Sequence, residues 1–397
     1  MKSRKDLNST ISFILISTLI FLGCNMKGDD NINFTEVESE ITVLIKFTES
    51  TQKLGDTRSF GLDIADIDLD GDNDIFICNY IGESKLWLND GTGKFEMSNQ
   101  SFLDAEAHDA KIADLNGDKL PDIFILYHAS PCMIYFNDGN RSFAISDQNI
   151  GAIEEYPGSL VTGDVDNDGD IDAFIAYYTL PNRLWLNDGN GIFEKADTEF
   201  GTEGDPGRMA LADFNGDSFL DLFLSMTEAP DQVLLNEGTG HFINTSQNLG
   251  AEVGYDYPES IDIDGDGDND IVVANNINGS VVWLNQNNTG TFVQAYPYFG
   301  LGSIRLKIFD ADQDGDNDII TSTVDEGTTF WLNDGNTNFT AIDTILGNIG
   351  AISIDCRDLD GDGDLDVVFG QGEGTGGNSI YFNESKIVDP GKIKAGK

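Results

Sequence analysis

Short apolar runs alternate with acidic and glycine-rich segments along most of this chain. Two of these runs, residues 75–78 (Ile-Phe-Ile-Cys) and 271–274 (Ile-Val-Val-Ala), are rich in β-branched residues, which favour strands. A second type of run, Leu-Trp-Leu-Asn, occurs at residues 86–89 and 184–187. The segment that follows the first of these, residues 90–93 (Asp-Gly-Thr-Gly), is a hairpin signal between apolar runs. The pattern therefore predicts an all-β fold of short antiparallel strands.

An acidic motif of nine residues recurs in near-constant register. It has the form Asp-x-Asp/Asn-x-Asp-x-x-x-Asp, and successive copies are 48 to 50 residues apart. The seven copies begin at Asp66, Asp114, Asp164, Asp213, Asp262, Asp310 and Asp358. An Asn follows the start by 23 residues in six copies and by 25 residues in the seventh. Such regular spacing indicates one structural unit repeated seven times.

Each repeat predicts four strands. A short strand precedes the acidic motif, as at residues 61–65, and an apolar strand follows it. The Leu-Trp-Leu-Asn run forms the third strand, and a residue such as Phe95 opens the fourth. Four antiparallel strands per repeat, seven times over, predict a seven-bladed β-propeller. A β-solenoid, which usually has shorter coils, is the alternative.

The last repeat lacks its fourth strand, and a matching strand stands at the other end of the chain. Residues 46–50 (Lys-Phe-Thr-Glu-Ser) parallel residues 94–98 (Lys-Phe-Glu-Met-Ser), and Phe47 precedes the first acidic motif by the same 19 residues that separate Phe95 from the second. We therefore expect the N-terminal strand to complete the seventh blade and protect its open edge. The predicted propeller spans residues 41–386, followed by a tail at 387–397.

The N-terminus has the pattern of an export signal. A basic start precedes an apolar run at residues 11–22, which is too short to span a bilayer comfortably but is typical of a signal-peptide core. The run ends in Phe-Leu-Gly-Cys24, which resembles the lipobox of bacterial lipoproteins. We expect a signal peptide at 1–23, lipidation of Cys24 and a polar tether at 24–40. The protein would then be exported and lipid-anchored to the bacterial cell envelope, facing the periplasm or the surface. An uncleaved anchor and a plain secretory signal are the alternatives.

The charge balance excludes one class of partner. Seventy Asp and Glu residues against 22 Lys and Arg residues give a formal net charge of −48. Such a surface repels phosphate backbones, so we expect no nucleic-acid ligand. Many of the acids are clustered in the nine-residue motifs. Solubility alone would not require such clustering.

The acidic motifs have the chemistry of calcium loops. Residues 1, 3 and 5 can direct carboxylates at one centre, and the carbonyl of residue 7 and the carboxylate of residue 9 can close the shell. Calcium takes six to eight oxygen ligands in a flexible cage, whereas magnesium prefers a strict octahedron and softer metals prefer His or Cys. The motif is not an EF-hand, because Ile77 stands at position 12 of the first copy, where that loop needs Glu.

The nine-residue loop resembles those of FG-GAP and VCBS repeats, as in the integrin α-subunit propeller. The resemblance covers Phe47 to about Asn383 and implies that each loop joins the first two strands of a blade. It implies up to seven Ca²⁺, held by the side chains at positions 1, 3, 5 and 9. These are Asp66, Asp68, Asp70 and Asp74; Asp114, Asn116, Asp118 and Asp122; Asp164, Asp166, Asp168 and Asp172; Asp213, Asn215, Asp217 and Asp221; Asp262, Asp264, Asp266 and Asp270; Asp310, Asp312, Asp314 and Asp318; and Asp358, Asp360, Asp362 and Asp366.

The second and fourth loops depart from this pattern. Lys119 and Ser218 replace the Gly that the other loops have at position 6, where a sharp turn favours positive φ. Both loops also have Asn instead of Asp at position 3, which removes one carboxylate. We expect these two sites to be the weakest, and calcium in all seven to serve stability and not catalysis.

The blade face opposite the acidic loops collects aromatic residues flanked by Arg, Asp and Glu. Such a surface suits sugar rings and protein interfaces equally. The strongest candidates for ligand contact are His108, Tyr156, Arg208, Tyr257 and Arg305. Further candidates on the same face are Arg58, Phe60, Tyr80, Asp109, Tyr127, His128, Tyr177, Tyr178 and Tyr255.

Three functions fit these features. The first is a monomeric, calcium-stabilised binding or adhesion module outside the cytoplasm, which recognises a glycan or a protein through that face. The second is a polysaccharide-active enzyme, a lyase or hydrolase, although with three His residues no Ser/His/Asp or Cys/His arrangement stands out and no catalytic residue is assigned. The third is a scaffold within an envelope complex.

Overall fold

The chain folds into strands. The computed structural model describes residues 10–24 and 34–388, apart from residues 152–154, 179, 202–207, 228, 251–253, 255, 324–326, 343–345, 347–350 and 372–376. The described part contains thirty β-strands and no helix. None of its segments is therefore a helix long and apolar enough to cross a membrane.

The strands group into seven blades, numbered here in chain order. Two N-terminal strands come first: β1 (Thr10–Cys24) and β2 (Phe34–Lys53). Blades 1 to 3 contain β3 (Ser59–Ala65), β4 (Asp74–Asn79), β5 (Lys85–Asn89) and β6 (Phe95–Met97); β7 (Ala107–Ala113), β8 (Asp122–Tyr127), β9 (Met133–Asn137) and β10 (Phe143–Ile145); and β11 (Pro157–Gly163), β12 (Asp172–Tyr177), β13 (Asn182–Asn187) and β14 (Phe193–Phe200). Blades 4 and 5 contain β15 (Met209–Ala212), β16 (Asp221–Leu224), β17 (Gln232–Asn236) and β18 (Phe242–Asn244); and β19 (Asp256–Ile261), β20 (Asp270–Asn275), β21 (Ser280–Asn285) and β22 (Phe292–Phe299). Blade 6 contains β23 (Ser303–Phe309), β24 (Asp318–Thr323), β25 (Gly327–Asn333) and β26 (Phe339–Ile342), and the C-terminal strands are β27 (Ala351–Arg357), β28 (Asp366–Gln371), β29 (Ser379–Asn383) and β30 (Lys386–Val388).

Each blade is an antiparallel sheet, and in blades 1 to 6 the strands follow chain order from the inside outwards, as in β3-β4-β5-β6. The first strands of successive blades lie side by side and enclose a central channel. The second strands are sandwiched between neighbouring blades, and all six residues of β4 are buried. This position explains their continuous apolar runs, because a strand covered on both faces has no solvent side to make polar. The predicted seven-bladed propeller is confirmed.

The ring closes through the N-terminal strand, as predicted. Strand β2 pairs with β29, with Phe47 opposite Asn383 and Glu49 opposite Tyr381. Blade 7 therefore consists of β27, β28, β29 and β2. The Phe47 side chain is buried and stacks on Phe330 of blade 6 at a centroid distance of 5.0 Å. Closure thus fills the core between the last two blades and also completes the sheet.

The N-terminal segment extends the seventh sheet further. Strand β2 already begins at Phe34, inside the segment expected to be a tether, and both β1 and β30 pair with it. Residues 1–9, 25–33 and 389–397, which belong to the predicted signal peptide, tether and tail, lie outside the described residues.

Candidate functional site

The seven acidic motifs form loops that join the first and second strands of each blade, so they gather on one face of the propeller. They are called loops 1 to 7 here, after their blades. In loop 1 the carboxylate of Asp66 accepts a hydrogen bond from the backbone N–H of Gly71 at 3.0 Å, and loop 3 repeats this bond between Asp164 and Gly169 at 3.1 Å. The bond between positions 1 and 6 curls the backbone around the side chains at positions 1, 3 and 5.

Position 6 has positive φ in every loop, as predicted. Gly71 has φ of 100° there, and the departures Lys119 and Ser218 have φ of 70° and 73°. A left-handed conformation costs a non-Gly residue roughly 1–2 kcal/mol. Loops 2 and 4 therefore bear backbone strain that a glycine would avoid.

Five of the loops bring three carboxylates together. In each group one oxygen of every member lies within 4.8 Å of the others. The groups are Asp66, Asp68 and Asp70; Asp164, Asp166 and Asp172; Asp262, Asp264 and Asp270; Asp310, Asp312 and Asp318; and Asp358, Asp360 and Asp366. Loops 2 and 4, whose position 3 is Asn, form no such group among the described residues. Five acid-rich centres can thus hold metal ions.

Unpaired oxygens in these loops fit a hard cation. Asp66, Asp68, Asp164, Asp166 and Asp360 each have a buried carboxylate oxygen with no hydrogen-bond partner among the described residues. Buried charged oxygens without a partner are costly, and several of them around one centre also repel each other. The donor set consists of oxygen alone, which suits calcium and not a thiophilic metal.

Loop 1 has a basic neighbour that the sequence pattern did not indicate. The Nε of Arg141, from the outer hairpin of blade 2, lies 2.7 Å from Asp68 Oδ2, and its Nη2 lies 3.3 Å from Asp70 Oδ2. Gly93 and Gly191 hold the equivalent hairpin position in blades 1 and 3. The positive charge of Arg141 thus offsets part of the negative charge of loop 1.

The Asp at position 9 ties each loop to the third strand of its own blade. Asp74 accepts hydrogen bonds from the backbone N–H of Asn89 at 2.8 Å and of Ile67 at 3.0 Å, and the other six blades repeat this pair. Burial raises the pKa of Asp74 to about 7 and that of Asp318 to about 8. These carboxylates therefore hold the loop in place, and those of loops 3, 5, 6 and 7 also belong to the acidic groups that could hold a metal ion.

The recurring Asn connects each blade to the blade before it. The Asn236 side chain donates to the carbonyl of Val165, in loop 3, at 2.7 Å. The same bond joins Asn89 to Leu359, Asn137 to Ile67, Asn187 to Leu115, Asn285 to Phe214, Asn333 to Ile263 and Asn383 to Ala311. The spacing of this Asn was evident in the sequence, but its partner, in the loop of another blade, was not.

The opposite face contains an aromatic pocket. Six rings from blades 1 to 3 line a cavity of about 420 Å³: Phe60, Tyr80, His108, His128, Tyr156 and Tyr178. Phe60 stacks on His108 at 4.8 Å and meets Tyr80 at 4.9 Å, and His128 meets Tyr156 at 4.9 Å. Each ring belongs to a residue at the start of a first strand or just after a second strand, which places the pocket at the strand ends remote from the acidic loops.

Two arginines lie beside this pocket, at the mouth of the central channel. The guanidinium carbons of Arg208 and Arg305 lie 4.5 and 3.5 Å from the centroid of the Tyr257 ring. The channel, of about 490 Å³, shares Phe60 and His108 with the aromatic pocket. Of the five strongest sequence candidates, His108 and Tyr156 thus line the pocket, and the other three form the channel mouth.

Two guanidiniums and a histidine of lowered pKa stand at the mouth. Burial lowers the pKa of His108 well below its usual value, and the charges of Arg208, His128 and Arg305 lower it further. Burial likewise lowers the pKa of Arg305, to about 10. The Nδ1 of His108 is buried and has no hydrogen-bond partner among the described residues. A neutral imidazole beside two guanidiniums favours an anionic or hydrogen-bonding ligand over a cation.

Deeper in the channel the charges are paired. Lys307 lies 2.5 Å from Glu259 and 3.5 Å from Asp355, and Lys111 lies 4.0 Å from Asp63. All five residues stand three positions before their acidic motifs, so they form one level of the channel wall. The ion pairs at this level stabilise the channel wall, whereas the residues at the mouth form the candidate ligand site.

Two candidates for the ligand face were wrong, and a third, Tyr255, lies outside the described residues. Tyr127 and Tyr177 are fully buried between blades, where the Tyr127 hydroxyl lies 3.4 Å from that of Tyr135 and the Tyr177 hydroxyl accepts from Trp185 at 3.3 Å. Successive side chains of a strand point to opposite sides. Their neighbours His128 and Tyr178 therefore reach the pocket instead.

Solved structures with the same fold include proteins of different kinds. The chain resembles BP39L lectin from Burkholderia pseudomallei, with a TM-score of 0.62, 9% identity and coverage of 84% of this chain and 97% of the lectin. It also resembles BBS1N in complex with ARL6DN (TM-score 0.60, 9% identity, 84% and 95% coverage) and the computationally designed Ika8 protein (0.53, 11%, 86% and 93%). At these identities the likeness extends to the fold alone. No curated protein sequence matches the chain.

The repeats themselves match a known family. A sequence profile of the FG-GAP-like repeat matches residues 66–125, 114–175, 164–224, 262–308 and 310–386, which together cover more than half of the chain. Each match begins at the first Asp of an acidic motif. The chain belongs to the family of FG-GAP-like repeat proteins.

Proposed function

We propose that this protein is a calcium-stabilised binding module that recognises a glycan or a protein through the face opposite its acidic loops. The observation that supports this most strongly is the aromatic pocket beside the Arg208 and Arg305 pair. Large concave sites lined by aromatic rings with a few polar groups are the usual form of ligand sites. Among the solved structures of this fold, one is named a lectin and another is a complex with ARL6DN, which supports a binding role without identifying the ligand here.

Calcium has a structural role in this proposal. The ligands are the side chains at positions 1, 3, 5 and 9 of the acidic loops, with up to seven ions bound and the weakest binding in loops 2 and 4. The ions neutralise the crowded carboxylates and fix the loop to which the Asn of the next blade is bonded. The ligand face is then held rigid from the opposite side of the ring.

Binding should depend on the aromatic pocket. Screened in calcium against an array of polysaccharides and extracellular-matrix proteins, the purified protein is expected to bind at least one of them. The double variant Tyr156→Ala and Tyr178→Ala should weaken that binding by about tenfold or more, since each aromatic contact is worth about 1 kcal/mol beyond its buried area. The matched control is Tyr298→Ala, an exposed Tyr on the outer strand of blade 5. A folded, calcium-loaded protein that binds nothing would favour an envelope scaffold instead.

The proposal also places the protein at the bacterial cell envelope. We expect export and a lipid anchor on Cys24, on the basis of the N-terminal signal pattern. Labelled fatty acid should be incorporated into the protein in growing cells, and Cys24→Ser should abolish labelling and release the protein from the membrane fraction. Labelling that survives this substitution would contradict the anchor.

A further inference from the structure

We propose that the channel mouth binds the anionic group of an acidic sugar whose ring lies in the adjoining aromatic pocket. This inference rests on the proposed function and names the ligand class: a glycan with carboxylate or sulfate groups. It is drawn from the charge, contacts and position of the residues that surround the two cavities.

Arg305 has no carboxylate partner among the described residues, although the chain has a large excess of acids. Its Nη1 donates to the backbone carbonyl of Ile304 at 2.8 Å, and its guanidinium lies over Tyr257, but it forms no ion pair among the described residues. Lys307, two residues further along the same strand, contacts two carboxylates. The Arg305 side chain is half-buried in the channel wall, and no carboxylate of the described residues pairs with it, so a carboxylate or sulfate group in the channel mouth would supply the partner that such a charge favours.

Asp109 is an acid whose charge acts on Arg305, but the structure shows no ion pair between the two residues. Asp109, on the first strand of blade 2, directs one carboxylate oxygen to the backbone N–H of Ala110 and the other to that of Leu160, both at 3.0 Å. It therefore serves the junction of two blades. The guanidinium of Arg305, with five N–H donors in a planar fork, keeps donors for an external carboxylate or sulfate.

The aromatic pocket supplies the second half of the site. Its volume of about 420 Å³ falls within the range of small-ligand pockets. The rings offer flat apolar faces, and their Tyr hydroxyls and imidazoles offer hydrogen bonds suited to sugar hydroxyls. The shared wall of Phe60 and His108 allows one ligand to reach both cavities.

The charges disfavour a cationic ligand, which aromatic pockets otherwise suit. Arg58 already lies over Phe60 at 4.5 Å and over Tyr80 at 5.4 Å, and two more guanidiniums border the mouth. An acidic peptide would satisfy Arg305 but has no pyranose ring, whose C–H face packs on aromatic side chains. An acidic sugar satisfies both halves.

The test compares three trisaccharides of one linkage: a galacturonic acid trimer, a sulfated galactose trimer and a neutral galactose trimer. Isothermal titration calorimetry at fixed free calcium measures each affinity. We expect at least one anionic trimer to bind about tenfold or more tighter than the neutral one, as expected for a charge-assisted hydrogen bond. The two anionic trimers distinguish carboxylate from sulfate, and added salt should reduce the difference from the neutral trimer.

Variants separate the two halves of the site. Arg305→Met should abolish the preference for the anionic trimer without lowering the melting temperature, because it removes a half-buried charge that has no ion pair among the described residues. Tyr156→Ala should weaken all the trimers that bind to a similar degree. Lys195→Met, which removes the same charge on the outer strand of blade 3, should change neither result.

Several outcomes would overturn the inference. These are equal affinity for charged and neutral trimers, an unchanged preference in Arg305→Met, or equally tight binding of a polyglutamate peptide. If no trimer binds but a protein ligand requires Tyr156 and Tyr178, the inference fails and the proposed function stands. If neither sugar nor protein binds, both fail.

Discussion

Removal of calcium is expected to lower the melting temperature of the protein by about 10 °C. Five loops have carboxylate oxygens within 4.8 Å of one another, and these oxygens repel when no cation separates them. At about ten times Kd, each bound ion stabilises the fold by about 1.4 kcal/mol, so five ions contribute about 7 kcal/mol. The unfolding entropy of a propeller of this size is about 0.7 kcal/mol per K, which converts that sum into about 10 °C.

Thermal unfolding followed by circular dichroism, in calcium and in EDTA, measures this effect. Magnesium at the same concentration should recover only part of the loss, because it prefers a stricter octahedral site. The variant Asp360→Asn, at position 3 of loop 7, should remove about a fifth of the calcium effect. A melting temperature unchanged by EDTA would contradict the calcium assignment.

The calcium effect should also depend on pH. Burial is the largest cause of the raised pKa in the Asp at position 9 of every loop. The pKa is raised to about 7 in Asp74, Asp270 and Asp366, about 6 in Asp122, Asp172 and Asp221, and about 8 in Asp318. An unfolded Asp has a pKa of about 3.9, so between about pH 4 and 8 the metal-free folded state binds more protons than the unfolded state. Its stability therefore falls as the pH rises through this range.

In EDTA we thus expect the melting temperature to rise when the pH is lowered from 8 to 5. In calcium the same acidification should bring no such gain, since protons compete with the ion for the carboxylates. The difference between the two conditions should therefore be larger at pH 8 than at pH 5. Melting temperatures measured in both conditions across this range provide the check.

Truncation of two buried side chains of the closing strand is expected to lower the free energy of unfolding almost as much as removal of calcium. The double variant Ile45→Ala and Phe47→Ala removes two side chains that are each 2% exposed, one of which stacks on Phe330. Large-to-small substitutions in a core cost about 2–5 kcal/mol for Ile and about 3–5 kcal/mol for Phe, so we expect a total of about 6 kcal/mol. Opening of this seam would also expose the edge of β29 to pairing with other chains.

Urea unfolding monitored by Trp fluorescence measures this loss, and light scattering reports aggregation. Glu49→Ala is the matched control, because Glu49 lies on the same strand in a partly exposed ion pair with Lys53, and such pairs are worth about 0–1 kcal/mol. If the double variant were as stable as the control, the ring would not depend on this strand for closure.

The architecture of this protein was determined by local sequence patterns. Seven acidic motifs at constant spacing, each followed by an apolar strand and a Leu-Trp-Leu-Asn type strand, predicted seven four-stranded blades. The equal spacing of Phe47 and Phe95 from their motifs predicted the closing strand. The positive φ at Lys119 and Ser218 was predictable as well, because turn geometry depends on a few consecutive residues. Because the same strand and turn patterns recur in all seven repeats, each copy supports the interpretation of the others.

The contents of the ligand face were decided only by the tertiary structure. Phe60, His108 and Tyr156 come from three blades, and ring curvature determines how close their side chains come. Because successive side chains of a strand point to opposite sides, Tyr127 and Tyr177 point into the core. A shift of one residue in the strand would have placed them on the ligand face instead. The recurring Asn binds a carbonyl 70 to 72 residues away in six blades and 270 residues away in blade 1, where the ring closes. The ion pairs of Lys307, and the lack of one at Arg305 among the described residues, also depend on which blades adjoin. The spacing of motifs in the sequence shows how long each blade is. The contacts between residues of different blades form only when the ring closes, so the spacing does not reveal them.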